Sequence, residues 1–281
     1  HNRQRNAKSR IRGYSRTEHN LFQSEFGLYN TRIMAKRFQI DSGGTLLTSL
    51  VSYYKLADTA DYYGANTLTN SNSVAFNAGK IGNAADFGAA NTNKKLTVAS
   101  ALVDTRAAGI WSSSFWVNVT TAPAANTRQG IIEFVKSVAN SNSQMLIYQD
   151  TAGTKEVEFE SYNGNTVQHV KVTQTLTPGT WYHFIFAQNG TNLIVYLDGT
   201  QIINGTMQAA GSGTVVDRFD IGSTGSEGIW FSGLIDEMVV WTKLVAAQEI
   251  TDLVNGVVGQ TMIDSAVKTW NGLAITSGKI F

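Results

Sequence analysis

The sequence predicts an all-β fold: an antiparallel two-sheet β-sandwich of the jelly-roll kind, with one short helix near residues 246–255. Three observations carry this expectation. Roughly a dozen short segments alternate apolar and polar residues at period two. Turn residues separate them, with Gly common (26) and Pro rare (2), so the connections rely on Gly, Asn, Asp and Ser. Near the end the period changes once: Leu234, Asp236, Met238 and Val240 alternate with Ile235, Glu237, Val239 and Trp241, and then Ile250, Leu253 and Val254 fall on one face of a helix.

The strands follow in order. Residues 50–74 open with a strand at LVSYY and pass into an Asn/Ser/Thr-rich loop. Residues 78–100 hold a short Gly-bounded strand, a turn, and a strand at Lys95–Val98. SSSFWVNVTT (112–121), QGIIEFVKS (129–137) and SQMLIYQD (143–150) alternate strongly. AGTK is a hairpin turn, from which EVEFESY (156–162) returns. TVQHVKVTQ (166–174), TWYHFIFAQ (180–188), NLIVYLDGTQI (192–202), DRFDIGS (217–223) and TWNGLAITSG (269–278) complete the set. Such spacing is that of a sandwich or jelly roll. Asn255-Gly256 supplies a helix stop.

At 281 residues the chain can bury a large core. It divides into a basic N-terminal arm (1–45), a sandwich domain (46–256) and a C-terminal strand tail (257–281). No stretch approaches the ~20 apolar residues of a membrane-spanning helix. There is no cysteine, which excludes disulfides and thiolate metal sites. The net charge of +1 hides an asymmetry: residues 1–37 carry nine Lys/Arg against Glu18 and Glu25, and the remainder is acidic by six charges. An arm of this kind suits nucleic acid or an acidic partner surface. Met34 opens MAKRFQIDSGG, which reads as a natural start, and no apolar secretory stretch follows it.

Five segments carry a resemblance, in order, across residues 50–256. They are LVSYYKLADTA; AGKIGNAADFGAANTNKKLTV; SSSFWVNV; GTWYHFIFAQNGTNLIVYLDGTQI; and FSGLIDEMVVWTKLVAAQEITDLVN. Together they resemble the laminin-G-like group of the concanavalin A-like lectin/glucanase superfamily. The resemblance implies a two-sheet jelly roll with a concave and a convex face, and one helix packed beside a sheet edge or end. Relatives place Ser at the helix start. Here Val245-Ala246-Ala247 lacks that cap, whose loss costs ~1 kcal/mol, so a frayed first turn is expected.

Candidate chemistry is sparse. Glu156, Glu158 and Glu160 share one face of a strand, and glucanases of the superfamily present such a row in their cleft. Glu156 and Glu160 are the pair a glycoside hydrolase would use. The reading preferred here is a solvated row: Val157 and Phe159 point inward, the glutamates face water, and His169 and Lys171 form a cross-strand ladder with them. His183 reads as a packed strand residue, and Trp116, Trp181 and Trp241 as core or sub-helix residues. GSTGSEG (222–228) lacks the Lys-Ser/Thr ending of a phosphate loop. The resemblance implies a structural calcium, with Asp58, Asp61, Asp86 and Asp236 as oxygen donors beside Glu237. Carbohydrate binding would fall to Tyr62, Tyr63, Tyr162 and Trp230.

The expected function is a non-enzymatic, lectin-like module binding glycan or protein surfaces. Its expected setting is a virion, as a phage capsid-decoration or tail/fibre component contacting neighbouring subunits. A bacterial cell-surface or secreted carbohydrate-binding adhesin and a glucanase-like glycoside hydrolase are the competing expectations.

Overall fold

Alternation along each strand decides which side chains enter the core. The computed structural model describes residues 45–89, 92–104, 109–135, 144–163, 166–207, 217–225, 227–255, 268–270 and 273–275. Residues 40–281 form one unit of the chain and residues 1–39 another. Residues 1–44, all of the basic arm but Thr45, and the nucleic-acid or acidic-surface contacts expected of it lie outside the described residues.

The strands are β1 (Leu50–Tyr54), β2 (Thr69–Ser71), β3 (Ala75–Ala78), β4 (Asn83–Asp86), β5 (Lys95–Val98), β6 (Ile110–Val119), β7 (Arg128–Val135), β8 (Gln144–Thr151), β9 (Thr154–Asn163) and β10 (Thr166–Thr173). They continue as β11 (Trp181–Asn189), β12 (Asn192–Leu197), β13 (Thr200–Thr206), β14 (Arg218–Ile221), β15 (Ser223–Thr224), β16 (Ile229–Trp230) and β17 (Gly233–Trp241). Helix α1 (Ala247–Val254) follows, and β18 (Lys268–Trp270) pairs with β19 (Leu273–Ile275). The tail read as strand-bearing thus holds a short hairpin in its described part.

One sheet runs β13-β12-β11-β6-β17-β4-β3, with β1 also on β17; the other runs β10-β9-β8-β7-β14-β5-β2. The described pairings within both are antiparallel. The expected two-sheet antiparallel sandwich is therefore present. Ala152 and Gly153, both at positive φ, make the two-residue turn between β8 and β9. The stretch 192–202, read as continuous, breaks at Asp198-Gly199, again both at positive φ.

Between the sheets lies an aromatic core. Trp111 of β6 meets Phe134 of β7 at 4.7 Å between ring centroids, and Phe159 of β9 meets Phe186 of β11 at 5.8 Å. Both contacts join the two sheets. Phe134 stacks on Phe219 of β14 at 4.6 Å, and Phe115 on Phe186 at 5.9 Å. Trp111 is fully buried and donates its indole N–H to Gln188 Oε1 at 2.9 Å, as a buried indole requires.

The eight-stranded sheet is covered on its other side as well. Ile185, Val239 and Trp241 leave it to meet Leu46, Leu50, Tyr53 and the helix residues Ile250 and Leu253. Trp241 donates to Leu46 O at 2.7 Å. The helix therefore covers a sheet face rather than the edge or end expected of it. Its first turn is closed, with Ile250 N–H bonded to Ala246 O at 3.0 Å. The frayed turn does not occur: no side chain caps the helix, but Glu249 ties the first turn back to its start. Its Oε2 accepts from Ala246 N–H at 2.7 Å, its Oε1 accepts from Thr45 Oγ1 at 2.6 Å, and Lys243 pairs with it.

β17 also carries two buried carboxyls. A bulge in β17 between Asp236 and Val239 places Glu237 at φ 53°. Tyr53 donates its hydroxyl to Glu237, and burial, with Asp236 next to it, pushes the Glu237 carboxyl up to about 8. Burial pushes Asp236 up to about 6 in the same sense.

Leu253→Ala should cost about 2–5 kcal/mol, because it opens a cavity under a fully buried side chain. Val254→Ala, on the half-buried flank, should cost less than about 1 kcal/mol; urea unfolding at fixed pH checks both. A carboxyl whose folded pKa is raised stabilises the fold below its unfolded pKa and loses that contribution as pH rises through the folded value. For Glu237 the window runs from 4.5 to about 8, with a slope of at most about 1.4 kcal/mol per pH unit. The wild type should therefore lose more stability between those pH values than Glu237→Gln. Equal losses, followed by urea midpoints, would show that this carboxyl does not hold the proton.

Candidate functional site

Period two puts Val157 and Phe159 of β9 in the core and Glu156, Glu158 and Glu160 on the outer face of the seven-stranded sheet. Register fixes their neighbours: Glu160 lies opposite His169 of β10, Glu158 opposite Lys171, and Glu156 opposite Thr173. The expected cross-strand ladder forms. Lys171 Nζ is 2.9 Å from Glu156 Oε2, and His169 Nδ1 is 2.6 Å from Glu158 Oε1 and 3.1 Å from Glu160 Oε1.

The row does not face open water as expected. Glu158 and Glu160 are only 3% and 1% exposed. One reason is the hairpin β15–β16, which lies against β7 at Gly130. A Cβ there would come within 2.8 Å of Ile229 O and closer still to Thr224, so only glycine admits this approach. The turn of this hairpin carries Glu227 back over the sheet. Arg128 Nη1 is 3.0 Å from Glu227 Oε2, its other amine pairs with Glu160, and Tyr162 donates its hydroxyl to Glu227. One guanidinium thus joins strand and hairpin.

The electrostatics follow from burial. Desolvation, with Glu227 and Glu158 nearby, raises the Glu160 carboxyl above its ordinary value despite Arg128. Burial and the bond to Glu227 raise the Tyr162 phenol. The Lys171 ammonium holds Glu156 below the usual range. Further along the same face Asp220 is fully buried, and receives Lys95 and Arg218 at 3.1 Å each and the Thr97 hydroxyl at 2.8 Å.

The pair named for hydrolysis does not meet. Glu156 and Glu160 are four residues apart on a strand, roughly 13 Å at ~3.3 Å per residue, whereas a retaining pair needs ~5–5.5 Å. The carboxylates that the strand brings together are Glu158 and Glu160.

The aromatic candidates separate into two places. Tyr162 belongs to the polar cluster, and Trp230, half-buried, is on its hairpin. Tyr62 packs against the apolar cluster under α1, its hydroxyl on Asp58 Oδ2 at 2.8 Å and the Lys55 ammonium 4.4 Å from its ring centre. Tyr63 is 48% exposed beside it in sequence.

The four aspartates proposed for calcium serve separate backbone sites. Asp61 accepts N–H groups from Tyr53, Tyr63, Gly64 and Asn66 at 2.9–3.1 Å. Asp58 accepts from Ala60 N–H, Asp86 from Gly88 N–H and the Asn77 amide, and Asp236 from Ile81 N–H. Among the described residues, no three of them gather ligand atoms within 4.8 Å. Asp236 Oδ1 is nevertheless buried without a hydrogen-bond partner. His183 is packed, as expected: it is 1% exposed, its Nε2 is 2.8 Å from Ser114 Oγ, and burial drives it down to about 3.

Arg128 and Glu227 were not singled out in the sequence. The only local signals were the glycines around them: Gly130, Gly225 and Gly228.

Comparison with known proteins agrees with this architecture. Residues 88–251 match a laminin-G-type family of the concanavalin A-like lectin/glucanases superfamily. No match is found among curated proteins. Domain 4 of AbnA, a GH43 extracellular arabinanase from Geobacillus stearothermophilus, solved in complex with arabinotriose, is 22% identical with a TM-score of 0.59; the match covers 73% of this chain and 98% of that one. The binding domain of botulinum neurotoxin DC, solved in complex with SialylT, is 14% identical with a TM-score of 0.56, over 75% of this chain and 52% of that one. A botulinum neurotoxin type C structure, whose description concerns interaction with two ganglioside molecules, is 13% identical with a TM-score of 0.55; here the chain spans about half of the toxin chain, 53%. These likenesses show a shared sandwich. The family match covers more than half of the sequence, and the chain belongs to the concanavalin A-like lectin/glucanase superfamily.

Proposed function

We propose that this chain is a non-enzymatic binding module that takes glycan on the outer face of the seven-stranded sheet. The observation that carries this is the convergence of Arg128, Tyr162 and Glu227 where a hairpin crosses that sheet, with Trp230 on the same hairpin. Polar groups held by packing beside half-buried aromatics are what a sugar's hydroxyls and apolar ring faces require. Sugars in complexes of similarly folded proteins support the reading. A protein surface is the other partner class, since a related toxin binding domain is described in complex with rat synaptotagmin II.

Burial argues against hydrolysis. A general acid must reach the glycosidic oxygen to within hydrogen-bond distance, whereas Glu158 and Glu160 are almost fully covered and already paired with His169 and Arg128. The setting we infer is the surface of a virion, as a decoration or tail-fibre protein, with a bacterial cell surface as the alternative. The basic run in residues 1–37 supports the former, because it suits an acidic neighbouring subunit or nucleic acid.

On a glycan array the chain should bind a restricted set of sugars. Trp230→Ala and Tyr162→Ala should each weaken that binding about tenfold or more, ~1.4 kcal/mol, with circular dichroism unchanged. Binding that neither change affects would move the site elsewhere. Release of reducing sugar from a β-glucan, abolished by Glu160→Gln, would replace the proposal with an enzyme.

A further inference from the structure

Glu158, Glu160 and His169 bring one ligand atom each to within 4.8 Å of one another. The two glutamates come from alternate positions of β9, and the histidine lies directly across from Glu160 on β10. Backbone pairing on both strands therefore holds the three in place. Their spacing is already close to that of a coordination shell: Nδ1 of His169 lies 2.6 and 3.1 Å from the two Oε1 atoms. Ligand atoms bound tetrahedrally at ~2.1 Å are ~3.4 Å apart, so a small outward adjustment of the exposed imidazole would admit an ion.

A second observation points the same way. Glu160 is 1% exposed, and its Oε2 is buried without a hydrogen-bond partner. Arg128 pairs with Oε1, the oxygen 3.1 Å from His169 Nδ1, so the donor that Glu160 would offer an ion is the other oxygen of the same carboxylate, Oε2. An orphaned buried carboxylate oxygen is costly unless something cationic meets it. The formal charges agree. With His169 neutral, as a metal ligand must be, the four carboxylates Glu156, Glu158, Glu160 and Glu227 face the two cations Arg128 and Lys171, which leaves two formal negative charges for a divalent cation to balance.

We propose that Glu158, Glu160 and His169 form a binding site for a divalent transition-metal ion, of which Zn²⁺ is the representative. An imidazole with two carboxylates is a donor set for such ions. Calcium, which takes six to eight oxygens, is served poorly by two carboxylates and a nitrogen. Entry is open, because the His169 side chain is 46% exposed on the terminal strand of its sheet. The site does not depend on the glycan reading: an ion here would fix β9 to β10 whether or not sugar binds above.

The test is calorimetric titration of the chelator-treated full chain with ZnCl₂, beside His169→Ala. The wild type should take up at least one equivalent with Kd at or below ~10 μM. His169→Ala should lose one equivalent, or weaken it at least tenfold, with an unchanged circular dichroism spectrum. Glu158→Gln should do the same without changing side-chain volume. CaCl₂ should bind this site at least tenfold more weakly than ZnCl₂, and the ¹⁵N shift of His169 Nδ1 should move on adding zinc. Zinc uptake that His169→Ala leaves intact would assign the ion to the other histidines and overturn the proposal. So would the absence of any zinc uptake, or a preference for calcium at the His169-dependent equivalent.

Discussion

A strand has two faces, and in this protein both must be covered. The period of two sends Phe159 inward and Glu158 and Glu160 outward with equal necessity. The eight-stranded sheet meets the demand with apolar material: Ile185, Val239 and Trp241 pass under α1 and the segment before β1. The seven-stranded sheet meets it with charge. Its outward carboxylates are matched across strands by Lys171 and His169 and across the hairpin by Arg128. The helix and the polar cluster are thus two solutions to one geometric requirement.

The two solutions differ in what they leave available. In an apolar seal such as Trp241 against Leu46 and Leu253 the one polar group, the indole N–H, is already bonded to Leu46 O. A network of paired charges has directional groups, orphaned oxygens and a half-exposed rim. The proposed recognition site therefore lies on the second sheet.

Much of the architecture was legible because it depends on local pattern. The alternation at Lys95–Val98, the Ala152-Gly153 turn and the single helix follow from residue periodicity and turn chemistry. The pairing of His169 and Lys171 with the glutamates was also readable, since two strands only two residues apart in sequence have few registers open to them. What escaped was everything that depends on a distant segment. Glu249, which ties the helix start, is itself held by Thr45, about two hundred residues away in sequence. The burial of Glu158 and Glu160 needs Arg128 and a hairpin some seventy residues downstream, and no window of β9 records either. The separation of Tyr62 from Tyr162 has the same cause: composition makes them equivalent, and topology places them against different sheets.

The missing side chain at Gly130 has a consequence for how such a surface can diversify. Because the hairpin rests backbone on backbone, its height above the sheet is fixed by main-chain contact and not by the identity of its tip. The tip can then be rewritten without changing that height, although replacing Glu227 would release Arg128 and Tyr162 beneath it, much as one lock body accepts different wards. A side chain at position 130 would lift the whole lip at once and move every group on it together.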